Sequence, residues 1–249
     1  MKIIQKTKEK IIFQAEIDEG LANAIRRSVN EIPILAIDEV EIYKNDSALY
    51  DEIIANRLGL VPLVSEKSMN FFQDCSCKGK GCGKCTVELK LAKKGPCVVY
   101  ASDFKGKADV VYGKIPIVNL NEDQELELVA YARLGRGKEH AKFSPGLVYY
   151  RNLADIEVKN IDAFKKCVEA CPLGLLSYDK KAEVKDVWKC DLCESCVEAC
   201  KKDNSDAIKI KPSSELVFFI ESWGMIEAKD IFLQALDALR DNLKIVRKA

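Results

Sequence analysis

One histidine, His140, stands in 249 residues. That scarcity removes paired-histidine zinc sites and any facial histidine triad. A nucleophile–histidine pair would rest on His140 alone, and its neighbours Lys138, Glu139 and Lys142 do not suggest a buried site. Charge excess is missing too: 39 lysines and arginines face 39 aspartates and glutamates, a formal balance of zero. Gripping nucleic acid unaided requires clustered positive charge, so this chain is not expected to do so. Long hydrophobic runs are absent. The longest, Leu216 to Ile220, falls far short of the roughly 20 apolar residues of a membrane helix. The start, Met1-Lys2-Ile3-Ile4-Gln5-Lys6, turns polar too early for a signal peptide, so a cytoplasmic location is expected. Phosphate-cradling glycine loops are lacking as well. Gly135-Arg136-Gly137 continues into neither a P-loop nor the full dinucleotide fingerprint. With 48% hydrophobic and 31% charged residues, the composition is that of a globular chain with length for one or two domains.

Cysteine, in contrast, is abundant. Eleven are present, and all but Cys97 fall in two patches. Cysteines that serve as small buried hydrophobes would scatter. A secreted disulfide framework does not suit a chain without a signal peptide. Metal binding accounts for the pattern better.

The first patch reads Cys75-Ser76-Cys77-Lys78-Gly79-Lys80-Gly81-Cys82-Gly83-Lys84-Cys85. Four thiolates with three glycines between them make a loop that can curl around one ion, because glycine enters positive φ at little cost. Four sulfurs suit tetrahedral zinc, and such a closed site is structural. Lys78, Lys80 and Lys84 offset its negative charge. One zinc ion on Cys75, Cys77, Cys82 and Cys85 is therefore expected, against the alternative of a metal-free thiol loop.

The second patch is more specific. Cys190, Cys193, Cys196 and Cys200 have the spacing of a bacterial ferredoxin 4Fe–4S motif, and Cys167, Cys171 and Pro172 form the tail of a second one. In two-cluster ferredoxins the fourth cysteine of one motif ligates the cluster of the other. The intact motif thus supplies Cys190, Cys193 and Cys196, and the fourth ligand is Cys171. The mate cluster needs cysteines at positions 161 and 164, which are Ile161 and Phe164. One 4Fe–4S cluster is expected, with a 3Fe–4S form left open. Cys167 and Cys200 remain at the vacated place, where a disulfide and two free thiols are both open outcomes. A zinc site on the same thiols is the rival reading of this patch.

Around these patches the pattern is mixed. Two strands are expected within residues 1–17, turning near Thr7 to Lys10. Asp18 should cap a helix whose stripe is Ala22, Ile25, Val29 and Ile32, ended by Pro33. A strand over Ile34–Tyr43 and a helix over Asp51–Leu58, stopped by Gly59, follow. Strands are expected over Thr86–Leu91, Val98–Tyr100, Ile115–Val118 and Leu126–Arg133, then a loop over about 136–150. A ferredoxin-like unit should span 155–212, with two helical cysteine segments and a short strand, Ala207–Lys211, before Pro212. A β-rich run, Leu216–Ser222, precedes a terminal helix over about Ala228–Leu243. Its apolar face is read as Phe232, Ala235, Leu236, Leu239 and Leu243.

Ala22-Asn23-Ala24-Ile25-Arg26-Arg27-Ser28-Val29-Asn30-Glu31-Ile32-Pro33, followed by Ala36 to Ile42, resembles the alpha-like assembly subunits of multisubunit RNA polymerases, in particular the archaeal, iron–sulfur-containing type. Asp51 to Leu63, His140 to Pro145 and Phe218 to Gly224 match the same family in the expected order. The resemblance implies an α+β fold like the N-terminal region of the bacterial alpha subunit. A dimerisation domain would be built from 1–43 and 215–249, with an insert domain over 44–214 that carries the zinc loop and the iron–sulfur unit. It also implies that the early and C-terminal helices pair with a smaller subunit, L, in an alpha-like heterodimer. On that platform the two large catalytic subunits would assemble. No residue here would be catalytic, nucleic acid would be met only through the assembled complex, and no membrane would be involved. Arg26, Arg27, Asp51 and Arg57 would be contact residues or ordinary charge pairs. The rival function is a ferredoxin-like electron-transfer subunit of an oxidoreductase, weakened by one missing cluster and no flavin or nicotinamide motif. A metal-dependent nucleic-acid binder is a third and poorer reading, given the zero net charge.

Overall fold

A computed structural model describes residues 1–65, 69–160, 164–165, 167–179, 181–202 and 207–248. The chain divides into two compact units. One comprises Met1–Lys6, Ile11–Ala22 and Val148–Phe219, and the other Thr7–Lys10, Asn23–Leu147 and Ile220–Ala249.

The first unit is built on a four-stranded sheet. β1 (Lys2–Lys6) and β2 (Lys10–Ala15) form a hairpin, with Ile3 opposite Phe13 and a register shift between Ile3 and Gln5. Its turn is closed by the Thr7 amide donating to the Lys10 carbonyl at 2.8 Å. The long strands that complete the sheet are numbered β9 (Gly146–Val158) and β12 (Ile208–Ser222), and the order is β1-β2-β12-β9. Ile12, Val217 and Phe219 are buried together on this sheet, with Leu153 and Trp188 against them. The cysteine-bearing segment adds a hairpin of β10 (Leu176–Asp179) and β11 (Lys181–Val184) and a short helix, α3 (Ser195–Lys202). Phe164, Cys167, Cys200, Leu176 and Ile208 make its core.

The second unit carries the sheet β3-β8-β4-β6, where β3 is Pro33–Asn45, β4 Val87–Lys94, β6 Lys105–Gly106 and β8 Glu125–Arg136. β5 (Cys97–Tyr100) and β7 (Pro116–Leu120) pair separately. β8 alternates buried and more exposed residues along most of its length, which is the period a half-buried strand requires. Leu126, Leu128, Ala130 and Ala132 point into the core with Leu89 and Leu91 of β4. Helix α2 (Asp51–Gly59) lays Ile54 and Leu58, both fully buried, on this core. At roughly 25 cal/mol per Å² of apolar surface, each such side chain stabilises by about 1.5–3 kcal/mol.

Helix α1 (Glu19–Ser28) starts as the sequence suggests. The Asp18 carboxylate accepts from the amides of Gly20 at 2.8 Å and Leu21 at 3.3 Å. Ala22, Ile25, Val29 and Ile32 are all buried. The helix tightens to a 3₁₀ turn at Val29–Glu31, just after the Ser28 hydroxyl donates to the Ala24 carbonyl at 2.8 Å. Back-bonding of this kind bends helices.

Three expectations change. Residues 136–150 are not one loop: a 3₁₀ turn at Ala141–Phe143 leads into β9 at Gly146. Gly146 begins this strand where a side chain would run into the Glu221 carbonyl, a close approach that only glycine permits. Pro212 does not end a strand, and β12 runs through it. The Pro212 residue is exposed there. The terminal helix, α4, extends over Ala228–Lys248, and its buried face is Ala228, Ile231 and Ala235. Leu243 is 60% exposed, so the stripe read from the sequence outruns the part that packs within the chain. The first helical cysteine segment lies in part outside the described residues. Its described remainder includes a 3₁₀ turn at Val168–Ala170. No helix among the described residues is long and apolar enough to cross a membrane.

Candidate metal centres

The loop before β4 folds on itself by local hydrogen bonds. Lys78 donates to the Cys75 carbonyl at 2.9 Å, and Cys85 and Thr86 both donate to that of Cys82 at 2.9 Å. The reversals need left-handed backbone at Lys78, Gly79 and Gly81, with φ of 53°, 78° and 76°. The two glycines carry no Cβ penalty for this. The sulfurs of Cys75, Cys77, Cys82 and Cys85 consequently all lie within 4.8 Å of one another. Cys75–Cys82 and Cys77–Cys85 are each 3.6 Å apart, and Cys82–Cys85 is 3.9 Å. A tetrahedron with metal–sulfur bonds of about 2.3 Å has edges of about 3.8 Å. The four thiols therefore fit one zinc ion with little rearrangement. For Cys77, burial would raise the thiol pKa, but sulfur contacts from Cys75, Cys85 and Cys82 outweigh it and bring it to about 7. A thiolate, the form that binds metal, is thus accessible near neutrality.

Two aromatic rings seat this loop on β8. Arg133 lies over the Phe72 ring at 3.9 Å and Arg136 over Phe71 at 4.5 Å. Arg133 is oriented in turn by Glu39 at 2.7 Å and Asp38 at 3.6 Å. Cation–π contacts of this kind contribute about 0.5–2 kcal/mol each. Phe71, Phe72, Arg133 and Arg136 were missed in reading the sequence. Their only local signal is the Phe71-Phe72 pair just upstream of the first cysteine.

The second thiol group sits in the other unit. Cys171 ends the 3₁₀ turn at Val168–Ala170, Cys190 ends another at Val187–Lys189, and Cys196 lies in the first turn of α3. Cys190 packs with Ala154, Leu175 and Cys171. The loop that presents these thiols holds three non-glycine residues at positive φ: Asp186 at 48°, Leu192 at 59° and Glu194 at 57°. Such residues cost of order 1–3 kcal/mol each and gather where function demands them. Burial pushes the Cys190 and Cys196 thiols up, and a negative charge on Cys171 pushes both further. Backbone amides oppose this: that of Leu192 donates to the Cys190 sulfur and that of Val197 to the Cys196 sulfur. Cys193 is exposed, with its amide donating to Asp191 at 3.2 Å. Mutually repelling thiols, two of them buried with amides aimed at their sulfurs, are suited to a positively charged iron centre.

Cys167 and Cys200 are joined as a disulfide across 33 residues, with Cα atoms 5.6 Å apart. Phe164, at a position where a second cluster would need a cysteine, is fully buried beside them. Ile161, the other such position, lies outside the described residues. His140 is exposed, and its Nδ1 accepts from the Lys142 amide at 3.1 Å, a local cap. Arg57 donates to the Pro116 carbonyl at 2.6 Å, and Asp51 accepts from Asn45 at 2.7 Å.

Comparison with known proteins agrees with this arrangement. A family described as the RNA polymerase Rpb3/RpoA insert domain matches residues 28–147, and one described as a 4Fe-4S dicluster domain matches 164–201. The DNA-directed RNA polymerase subunit Rpo3 of Archaeoglobus fulgidus is 37% identical, covering 100% of this chain and 96% of that protein. The subunit of the same name from Methanothermobacter thermautotrophicus is 39% identical over 97% of this chain and 95% of its own length. That of Thermococcus kodakarensis is 36% identical over 96% and 92%. With two cysteine centres on an α+β frame and likeness of this extent along nearly the whole length, the chain belongs to the Rpo3 family of archaeal DNA-directed RNA polymerase subunits.

Proposed function

We propose that this chain is the non-catalytic assembly subunit of a DNA-dependent RNA polymerase. It pairs with the smaller subunit L in an alpha-like heterodimer that nucleates assembly of the large catalytic subunits. The observation that carries this reading is full-length likeness to Rpo3 proteins. The electron-transfer alternative finds no such support. The polymerase active site lies in another subunit, and nucleic acid is reached through the complex. Residues 1–43 and 215–249 form the dimerisation domain, and 44–214 the insert. Support for a helical partner comes from α4, whose last turns expose Leu243 and Val246, three residues apart on one face. An exposed apolar helix face is the kind of surface that a partner helix covers.

In this reading Cys75, Cys77, Cys82 and Cys85 hold one zinc ion that closes the loop. Cys171, Cys190, Cys193 and Cys196 hold one 4Fe–4S cluster, or a 3Fe–4S form when one iron is absent, and the Cys167–Cys200 disulfide fills the second cluster's place. When bound, each metal centre supplies cross-linking energy to a segment with a modest core. Ile161 and Phe164 support a single cluster in spite of the dicluster pattern.

The test is anaerobic purification of the full chain with and without subunit L, measuring size, iron, sulfide and zinc. A stable one-to-one complex with about four irons and one zinc per chain is expected. A chain that ignores L yet passes electrons reversibly to a redox protein would overturn the assembly reading, and about eight irons would overturn the single cluster.

A further inference from the structure

Arg151 on β9 occupies an unusual setting. Its Nη2 donates to the Trp188 carbonyl at 3.0 Å, and its guanidinium lies 5.0 Å over the Phe219 ring. Its Nε is buried and has no hydrogen-bond partner. Among the described residues Arg151 forms no ion pair. A guanidinium has five donors and stays charged, so a half-buried one without a carboxylate calls for a source of negative charge. Trp188 is the middle residue of the turn Val187–Lys189, which Cys190 ends. The Trp188 ring packs on the same Phe219, with centroids 6.4 Å apart. The turn begins at Asp186, whose left-handed φ of 48° is unfavourable for a non-glycine residue. The lysines of this segment have carboxylate partners: Lys189 pairs with Asp186 at 2.6 Å and Lys185 with Glu183 at 3.8 Å. Asp191, next to Cys190, adds a further negative charge.

We propose that Arg151 is a positioning residue for the iron–sulfur centre. It pins the strained turn that delivers Cys190 and brings an unpaired positive charge to the Trp188 carbonyl, two residues before that ligand. The inference rests on the reading that Cys190 is a cluster ligand. Hydrogen bonds and net charge around a cluster set its reduction potential, and residues that orient metal ligands change retention about 10–100-fold when lost. A positive charge favours the more negative, reduced cluster, so removing it must lower the potential.

The experiment uses the full chain, purified anaerobically, as the parent, Arg151→Gln and Arg151→Lys. Iron content, the electron paramagnetic signal of the reduced cluster, its reduction potential and the rate of iron loss to a chelator are measured. Arg151→Gln is expected to have a more negative potential and to lose iron about tenfold faster. Arg151→Lys keeps the charge without the planar fork, so its potential stays near the parent's while iron loss is faster. A parental potential and parental iron loss in Arg151→Gln would overturn the proposal. If Arg151→Gln does not fold, Arg151→Lys decides, and parental iron loss in that variant overturns the positioning role. A parent chain that carries no iron would instead sink the cluster reading, which the iron assay reports separately.

Discussion

Replacing Phe164 tests whether an apolar core has taken the place of a second cluster. Its ring is fully buried among Cys167, Leu176, Cys196, Cys200 and Ile208. Truncating a buried phenylalanine to alanine costs about 3–5 kcal/mol, part from lost transfer energy and part from the cavity left behind. A module of roughly 60 residues with ordinary stability holds only about 3–9 kcal/mol in total. Phe164→Ala should therefore remove most of the stability of the cysteine-bearing module. Phe164→Leu, which keeps much of the volume, should cost less than about 1.5 kcal/mol. The assay is anaerobic urea denaturation of the full chain followed by circular dichroism, with iron retained by the folded fraction measured in parallel. The expected result is an early transition for the module in Phe164→Ala, with iron lost in the same step. A shift below about 1 kcal/mol with parental iron would refute the reasoning, because a cavity of that size cannot cost so little in a close-packed interior.

Other outcomes follow from the same geometry. Ile161→Cys combined with Phe164→Cys restores the two missing ligand positions; once Cys167–Cys200 is reduced, iron analysis should rise from about four towards about eight per chain. Cys82→Ser removes one corner of the sulfur tetrahedron, so zinc content should fall and trypsin should cut faster at Lys78, Lys80 and Lys84 as the loop opens. Glu125 accepts from Lys44 at 2.8 Å and pairs with Lys94 at 3.0 Å, which hold its carboxyl at about 2 instead of the usual value near 4.5. A depressed carboxylate stabilises the fold above its unfolded pKa and stops doing so as pH falls from about 4.5 to about 2. Melting temperatures should drop more steeply over that window in the parent than in Glu125→Gln, and added salt should narrow the difference.

Where the signal is local, the sequence is readable. Asp18 as a cap, the stripe from Ala22 to Ile32 and the helix from Asp51 all follow from spacing within one or two turns, and the structure has them. The misjudged positions share a cause. β12 runs through Pro212, and β2 and β9, strands distant in sequence, flank β12 in the sheet. Gly146 starts β9 because Glu221, far along the chain, leaves room only for glycine. Ile231 takes the buried place on α4 and Leu243 does not, because periodicity describes a helix's faces without saying how far its neighbours extend. The arginines at 133, 136 and 151 were missed because a cation stacked on a distant ring has the same local signature as one in solvent.

Chemistry and kinship were legible in the residues alone. The thiols of the first loop meet through a few residues of flexible chain, and motifs along nearly the full length place the chain among polymerase subunits. Which distant groups meet was settled by the folded chain. Cys171 packs beside Cys190, Cys167 lies against Cys200, and Phe71 and Phe72 lie under Arg136 and Arg133. Those meetings depend on strand order and register, energies summed over whole sheets that no short window of residues contains.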